Sequence, residues 1–175
     1  MATHATEVVG AGEDKLPVID LTAFRVNQSF IIGLLILAFV LNASWLVWLV
    51  GIVMALGTAL GVPGFKPIYK YVLKPLNIAH PEPEHDNPEP HRFAQGMGAA
   101  FTLASALALT LGVSVLGWGL SWLVVALAAV NLFLGFCAGC FVYYWLNRLN
   151  VPGFVKSAPP NTIPGMRPRR EVSNA

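Results

Sequence analysis

"VNQSFIIGLLILAFVLNASWLVWLVGIVMALGTALGVPGF", Val26 to Phe65, runs for 40 residues without a lysine, arginine, aspartate or glutamate. A bilayer core about 30 Å thick needs roughly 20 helical residues per crossing, so this run is too long for one crossing and matches two. "VLNASW", Val40 to Trp45, supplies the break, because Asn and Ser side chains favour turns over lipid-exposed helix. The pattern predicts helix one over 25–42 and helix two over 44–62. "VPGFKP" then ends helix two: Pro63 and Pro67 cannot continue it, and Gly64 frees the backbone.

A second uncharged run, Phe93 to Asn147, covers 55 residues. It predicts helix three over 92–111, a glycine-punctuated turn in "LGVSVLGWG" (Leu111 to Gly119), and helix four over 119–147. Nothing in that last segment is a proline, so helix four reads as one tilted or protruding helix, roughly 40 Å long at 1.5 Å per residue. Five crossings, with a break near Asn131, is the alternative count. The halves echo each other: "RVNQ" at Arg25 and "RFAQ" at Arg92 each open a hairpin, and "GVPGFK" at Gly61 and "NVPGFVK" at Asn150 each close one.

Composition agrees with a membrane chain. The 175 residues are 55% hydrophobic and 11% charged, against about 25% charged in soluble domains. The acidic residues before the first run and its length argue against a signal peptide. With four crossings, the tail 1–24, the loop 63–91 and the tail 149–175 share one side, and all eleven Lys and Arg residues lie on or beside it. The positive-inside rule then places both termini in the cytoplasm. Trp45, Trp48, Trp118 and Trp122 fall at the outer ends, and Tyr69, Tyr71, Tyr143, Tyr144 and Trp145 at the inner ends, as interfacial belts would. The expected fold is all-α and integral to the cell membrane, a four-helix domain over 25–148 built of two hairpins, with the C-tail disordered.

A net charge of +2 carries no argument for nucleic acid, and neither a phosphate-binding glycine loop nor a zinc-protease helix occurs. The chemistry concentrates in "GFCAGCFVYYWLNR", Gly135 to Arg148, which holds both cysteines of the chain. On a continuous helix Cys137 and Cys140 share one face, about one to two turns beneath the inner interface. A disulfide there needs a distorted backbone, which Gly135 and Gly139 permit, and two thiolates offer a site to a soft ion. The same glycines form a G-x-x-x-G, the spacing for close helix packing whatever the thiols do. Arg25 and Arg92, with Gln28 and Gln95 one turn further in, are the groups placed to favour a thiolate; they equally fit snorkelling to lipid phosphates. Asn131 reads as a cross-helix hydrogen-bonding residue.

Two loop segments read as non-catalytic. "GFKPIYKYVLKPL" (Gly64 to Leu76) stripes Lys66, Lys70 and Lys74 along a short helix lying on the inner surface. "HPEPEHDNPEPHR" (His80 to Arg92) holds His and carboxylates, but its four prolines impose extended backbone and its spacings match no zinc pattern. It reads as a solvated linker, with no metal and no cofactor assigned anywhere in the chain.

"FRVNQ", "RFAQGMG" and above all "GFCAGCFVYYW" make the chain resemble, from about Pro17 to Trp145, a bacterial membrane family known as domain of unknown function 4395. Its most specific element is matched by Gly135, Phe136, Cys137, Gly139, Cys140 and Tyr143. The resemblance implies a small helical membrane domain and an association with thioredoxin-like and rhodanese-like proteins. Three functions remain open: thiol redox or sulfur handling with such a soluble partner, a scaffolding subunit whose cysteines only pack, and a soft-metal site.

Overall fold

Asp20 starts the first long helix, because its Oδ1 accepts the otherwise unpaired amide of Thr22 at 3.0 Å. A computed structural model describes residues 18–74, 82–158 and 162–166. The expectations for 1–17, for 75–81 with His80, and for the basic cluster at Arg167–Arg170 fall outside the described residues. Helix α1 spans Leu21–Val40, α2 Ser44–Leu60, α4 Pro88–Thr110, α5 Ser114–Ala129 and α6 Ala138–Arg148; a short α3, Lys66–Ile68, runs into a π-helical turn, Tyr69–Leu73. Strands β1, Val18–Asp20, and β2, Pro83–His85, pair antiparallel with Ile19 opposite Glu84.

Helices α1, α2, α4 and α5 pack as a ring in which each contacts its two sequence neighbours and α5 closes onto α1. Leu35, Val47 and Val50 are fully buried at its centre with Ile31, Met54, Ala106, Val124 and Val125 around them. Small polar residues let α4 and α5 approach: Ser105 Oγ donates to the Gly117 carbonyl at 2.6 Å and lies 2.8 Å from Ser121 Oγ. The outside of the ring is apolar too, with Leu37, Val40, Ile52, Leu56, Val115 and Trp122 exposed. Three segments, Leu21–Val40, Pro88–Thr110 and Ser114–Leu134, are long and apolar enough to cross a membrane; α2 is apolar but shorter at 17 residues.

The internal repeat is real at the turns. After α1, the amides of Leu41, Asn42 and Ala43 donate to the carbonyls of Leu37, Phe39 and Ala38; after α4, those of Leu111, Gly112 and Val113 donate to Leu107, Leu109 and Ala108. Asn42 and Gly112, both left-handed, occupy the same place in the two turns. The closing segments match as well, with Val62 donating to Gly57 and Val151 to Leu146.

Three sequence expectations change. Helix α4 begins at Pro88, not Arg92, because Pro88 and Pro90 occupy a first turn where a missing N–H costs nothing; the end of the expected linker is therefore helix. The expected surface helix from Gly64 is one α turn followed by a π turn, which buries Tyr69 and leaves Tyr71 exposed. Tyr69 donates to Asp20 at 2.8 Å, and its burial, then that carboxylate, push its pKa up to about 12. Most important, the single helix over 119–147 does not exist. The helix begins at Ser114, gives way to a π segment at Val130–Leu134, and ends at Gly135, whose φ of 68° is the left-handed stop that glycine alone adopts at no steric cost. The break lies just past Asn131, but α6, with 11 residues and about 16 Å, is too short for a fifth crossing.

Arg92 and Gln95 close the end of α2. Arg92 donates from Nε to Thr58 O at 2.6 Å and from Nη2 to Ala59 O at 3.2 Å; Gln95 Nε2 donates to Met54 O at 3.1 Å. These carbonyls lack intrahelical partners or lie beside ones that do. Arg92→Ala is expected to lower stability by about 1–2 kcal/mol, read as earlier thermal unfolding in detergent; an unchanged midpoint would show that the contacts are idle.

Candidate functional site

The left-handed turn at Gly135 leaves Phe136 and Cys137 extended, so Cys137 becomes the N-cap of α6. Its sulfur accepts the Cys140 amide at 3.2 Å, a helix N-terminal setting that stabilises negative charge on sulfur. The two cysteines form a disulfide across the first turn of α6, with their Cα atoms 5.2 Å apart. No distortion of a continuous helix is needed, since the helix starts at the first cysteine. Both are buried, Cys137 at 5% exposure and Cys140 at 3%.

His91, in the first turn of α4, brings its Nδ1 to 3.7 Å from Cys140 Sγ and its Nε2 to 2.9 Å from Asp86 Oδ2. The carboxylate accepts, which places the proton of a neutral imidazole on Nε2 and turns the Nδ1 lone pair towards the sulfur. Asp86 is buried and held in turn: its Oδ1 accepts the Asn87 amide at 2.7 Å, and Asn87 Nδ2 donates to Ser157 O at 3.1 Å. Phe24 of α1 packs on the imidazole with ring centres 4.9 Å apart. The result is a relay, Cys140–His91–Asp86, built on the start of two helices.

Helix α6 reaches α4 through Gly139, where a Cβ would stand 2.5 Å from Ala94 Cβ and 2.6 Å from Ala94 Cα. The glycine expected to serve helix packing does so, but between α6 and α4. From the other side the C-terminal segment covers the pair: Cys137 N donates to Gly165 O at 2.7 Å, and Phe136 bridges to Met166.

Beside Cys137 lies a cavity of about 270 Å³. It extends from Phe24 to Ile31 along α1, about 10 Å at 1.5 Å per residue, and α4, α5 and α6 supply its other walls. No lysine, arginine, aspartate or glutamate lines it, whereas Asn27, Gln28, Gln95 and Asn131 do. Asn27 Oδ1 is used by the Phe65 amide at 3.0 Å. Gln28 Oε1 is buried with no hydrogen-bond partner among the described residues.

The site residues expected from the sequence therefore divide. Cys137 and Cys140 form its centre, and Gln28 and Gln95 line the cavity beside it. The arginines are engaged elsewhere: Arg25 pairs with Glu82 at 2.8 Å, and Arg92 caps α2. The cation-forming group that reaches a sulfur is His91, from the segment read as a solvated linker. Asn87 followed by Pro88 is a helix-start signal that would have put His91 on the first turn, one residue before Arg92. His91 Nδ1 and the two sulfurs also lie within 4.8 Å of one another; once reduced, they form an S₂N donor set with Asp86 steadying the imidazole.

Neither the curated proteins nor the solved structures contain a match to the chain. A family model does match, over residues 19–148, a span that takes in both hairpins, the cavity and the cysteine turn. The chain belongs to the family described as Domain of unknown function (DUF4395).

Proposed function

We propose that the protein is a bacterial cell-membrane thiol–disulfide protein in which Cys137 and Cys140 cycle between disulfide and dithiol at the cytoplasmic side. The observation that carries this reading is the His91–Asp86 pair set against Cys140 Sγ, an arrangement that packing alone does not need. When the pair is reduced, the Nδ1 lone pair takes the Cys140 proton, and the thiolate attacks an oxidised partner or Cys137; in reverse, the imidazolium returns the proton to the leaving sulfur. The helix N-terminus stabilises the charge on Cys137 meanwhile.

The four ring helices cross the bilayer as two hairpins, with both termini cytoplasmic, in keeping with the apolar outer face and the charge distribution. A disulfide on the reducing side of a membrane serves exchange better than structure. The matching soluble partner is a thioredoxin-like or rhodanese-like protein, which would approach at the end of the bundle where Lys66, Lys70, Lys74 and Lys156 lie.

Alkylation of membranes before and after mild reduction tests this. Both cysteines are expected to be labelled after reduction and protected before it. The segment Thr162–Met166 restrains access, so a chain ending at Ala158 is expected to be reduced by a small dithiol about tenfold faster. Cysteines that stay unlabelled under every redox condition would sink the reading in favour of a packed, structural pair.

A further inference from the structure

We propose that the cavity beside Cys137 binds the ring of a quinone-class, lipid-soluble carrier, and that the Cys137–Cys140 dithiol reduces it. The proposal rests on the thiol–disulfide reading and names where the electrons go.

The cavity selects for such a ring on four counts. Its volume of about 270 Å³ sits just below the range of about 300–1,000 Å³ that holds drug-sized ligands, so it takes a single ring system rather than an extended cofactor. Its walls carry no lysine or arginine, and the nearby arginines are committed to Glu82 and to the end of α2. A phosphate-bearing nucleotide carrier would have no counter-charge there. It lies within the ring of apolar helices, so its ligand arrives through lipid. Finally, Gln28 Oε1 is buried and unsatisfied, and a buried polar atom without a partner is costly unless something binds it.

A quinone couple suits that amide in both redox states. The oxygen of Gln28 accepts from the hydroxyl of a hydroquinone, and the amide turned over donates to the carbonyl of a quinone. Cys137 is the sulfur that lines the cavity, while Cys140 faces His91. Reduction then proceeds with Cys137 thiolate adding to a ring carbon. Cys140, deprotonated by His91, attacks Cys137 Sγ; the S–S bond forms, the C–S bond breaks, and its electron pair stays on the ring. Two thiol protons and two electrons end on the ring's two carbonyl oxygens, so dithiol plus quinone gives disulfide plus hydroquinone with nothing left over.

The test uses the full chain in lipid nanodiscs, reduced with dithiothreitol, desalted, and mixed with a short-tailed benzoquinone. Loss of quinone absorbance and alkylation mass spectrometry follow the two partners. One quinone is expected to be consumed per disulfide formed, at a rate that saturates. Gln28→Leu should raise the KM about tenfold, the value of one hydrogen bond, and leave the equilibrium of the pair with glutathione unchanged. Ala128→Trp, which fills the cavity from α5 without removing a polar group, should abolish saturation. A rate linear in quinone and equal in all three proteins would overturn the proposal, as would a pair that cycles with glutathione and consumes no quinone. A pair that does not exchange with glutathione at all would instead remove the thiol–disulfide reading on which the proposal stands.

Discussion

His91→Ala slows thiol–disulfide exchange at the pair by about a hundredfold, the lower end of what a positioned acid–base group contributes. The expectation follows from the 3.7 Å approach of Nδ1 to Cys140 Sγ and the 2.9 Å hold of Asp86 on Nε2. Without the imidazole, Cys140 must ionise unaided, so the rate of the variant should climb with pH through the ordinary thiol range near about 8.5, where the parent is flatter. Asp86 acts through His91 as a positioning residue. Asp86→Asn lets an amide donate to Nε2, moves the proton to Nδ1 and points it at the sulfur; about a tenfold loss with the same change in pH profile is expected, and Asp86→Glu should recover part of it. Quenched alkylation time courses in nanodiscs measure these rates, with thermal unfolding as the check on folding. A His91→Ala protein that exchanges within twofold of the parent would remove the relay.

Gly139→Leu has the larger structural effect. Any Cβ there meets Ala94 Cα and Cβ at about 2.6 Å and 2.5 Å, and these atoms belong to, or sit directly on, the backbone of α4 and cannot rotate aside. The helices must separate. Even Gly139→Ala should cost about 1–3 kcal/mol, the usual penalty of overpacking, and leucine more. Because α6 carries Cys140 and α4 carries His91, separation also opens the sulfur–imidazole contact, so exchange should slow in step with the loss of stability. Ala94→Gly combined with Gly139→Ala should recover most of both, the non-additivity expected of residues in contact. Equal losses in single and double variants would show that the close approach does not matter.

These two predictions depend on features of different legibility. The hairpins could be read directly: apolar runs of 40 and 55 residues are bounded by charge, and their turns are set by short local residues, Asn42 and Gly112, in matching left-handed positions. The cysteine pair was also plain. Its setting was not, because Gly135 and Gly139 are compatible with a packed continuous helix and with a stop followed by a restart. Glycine serves both, and only the observed φ of 68° at Gly135 separates them. Pro88 and Pro90 posed the same difficulty, since proline belongs both to extended linkers and to first helical turns. Read as a linker, the segment hid His91; read as a helix start, it delivers it.

The apolar helices were determined by the sequence alone, since covering roughly 20 residues per crossing is a requirement each segment meets or fails by itself. The tertiary structure decided everything that joins segments distant in the chain. His91 meets Cys140 across 49 residues, Ala94 meets Gly139, and Gln28 shares a cavity with Cys137. Such meetings depend on how far α6 turns back onto α4 after Gly135, a packing outcome of the whole bundle that no local run of residues encodes.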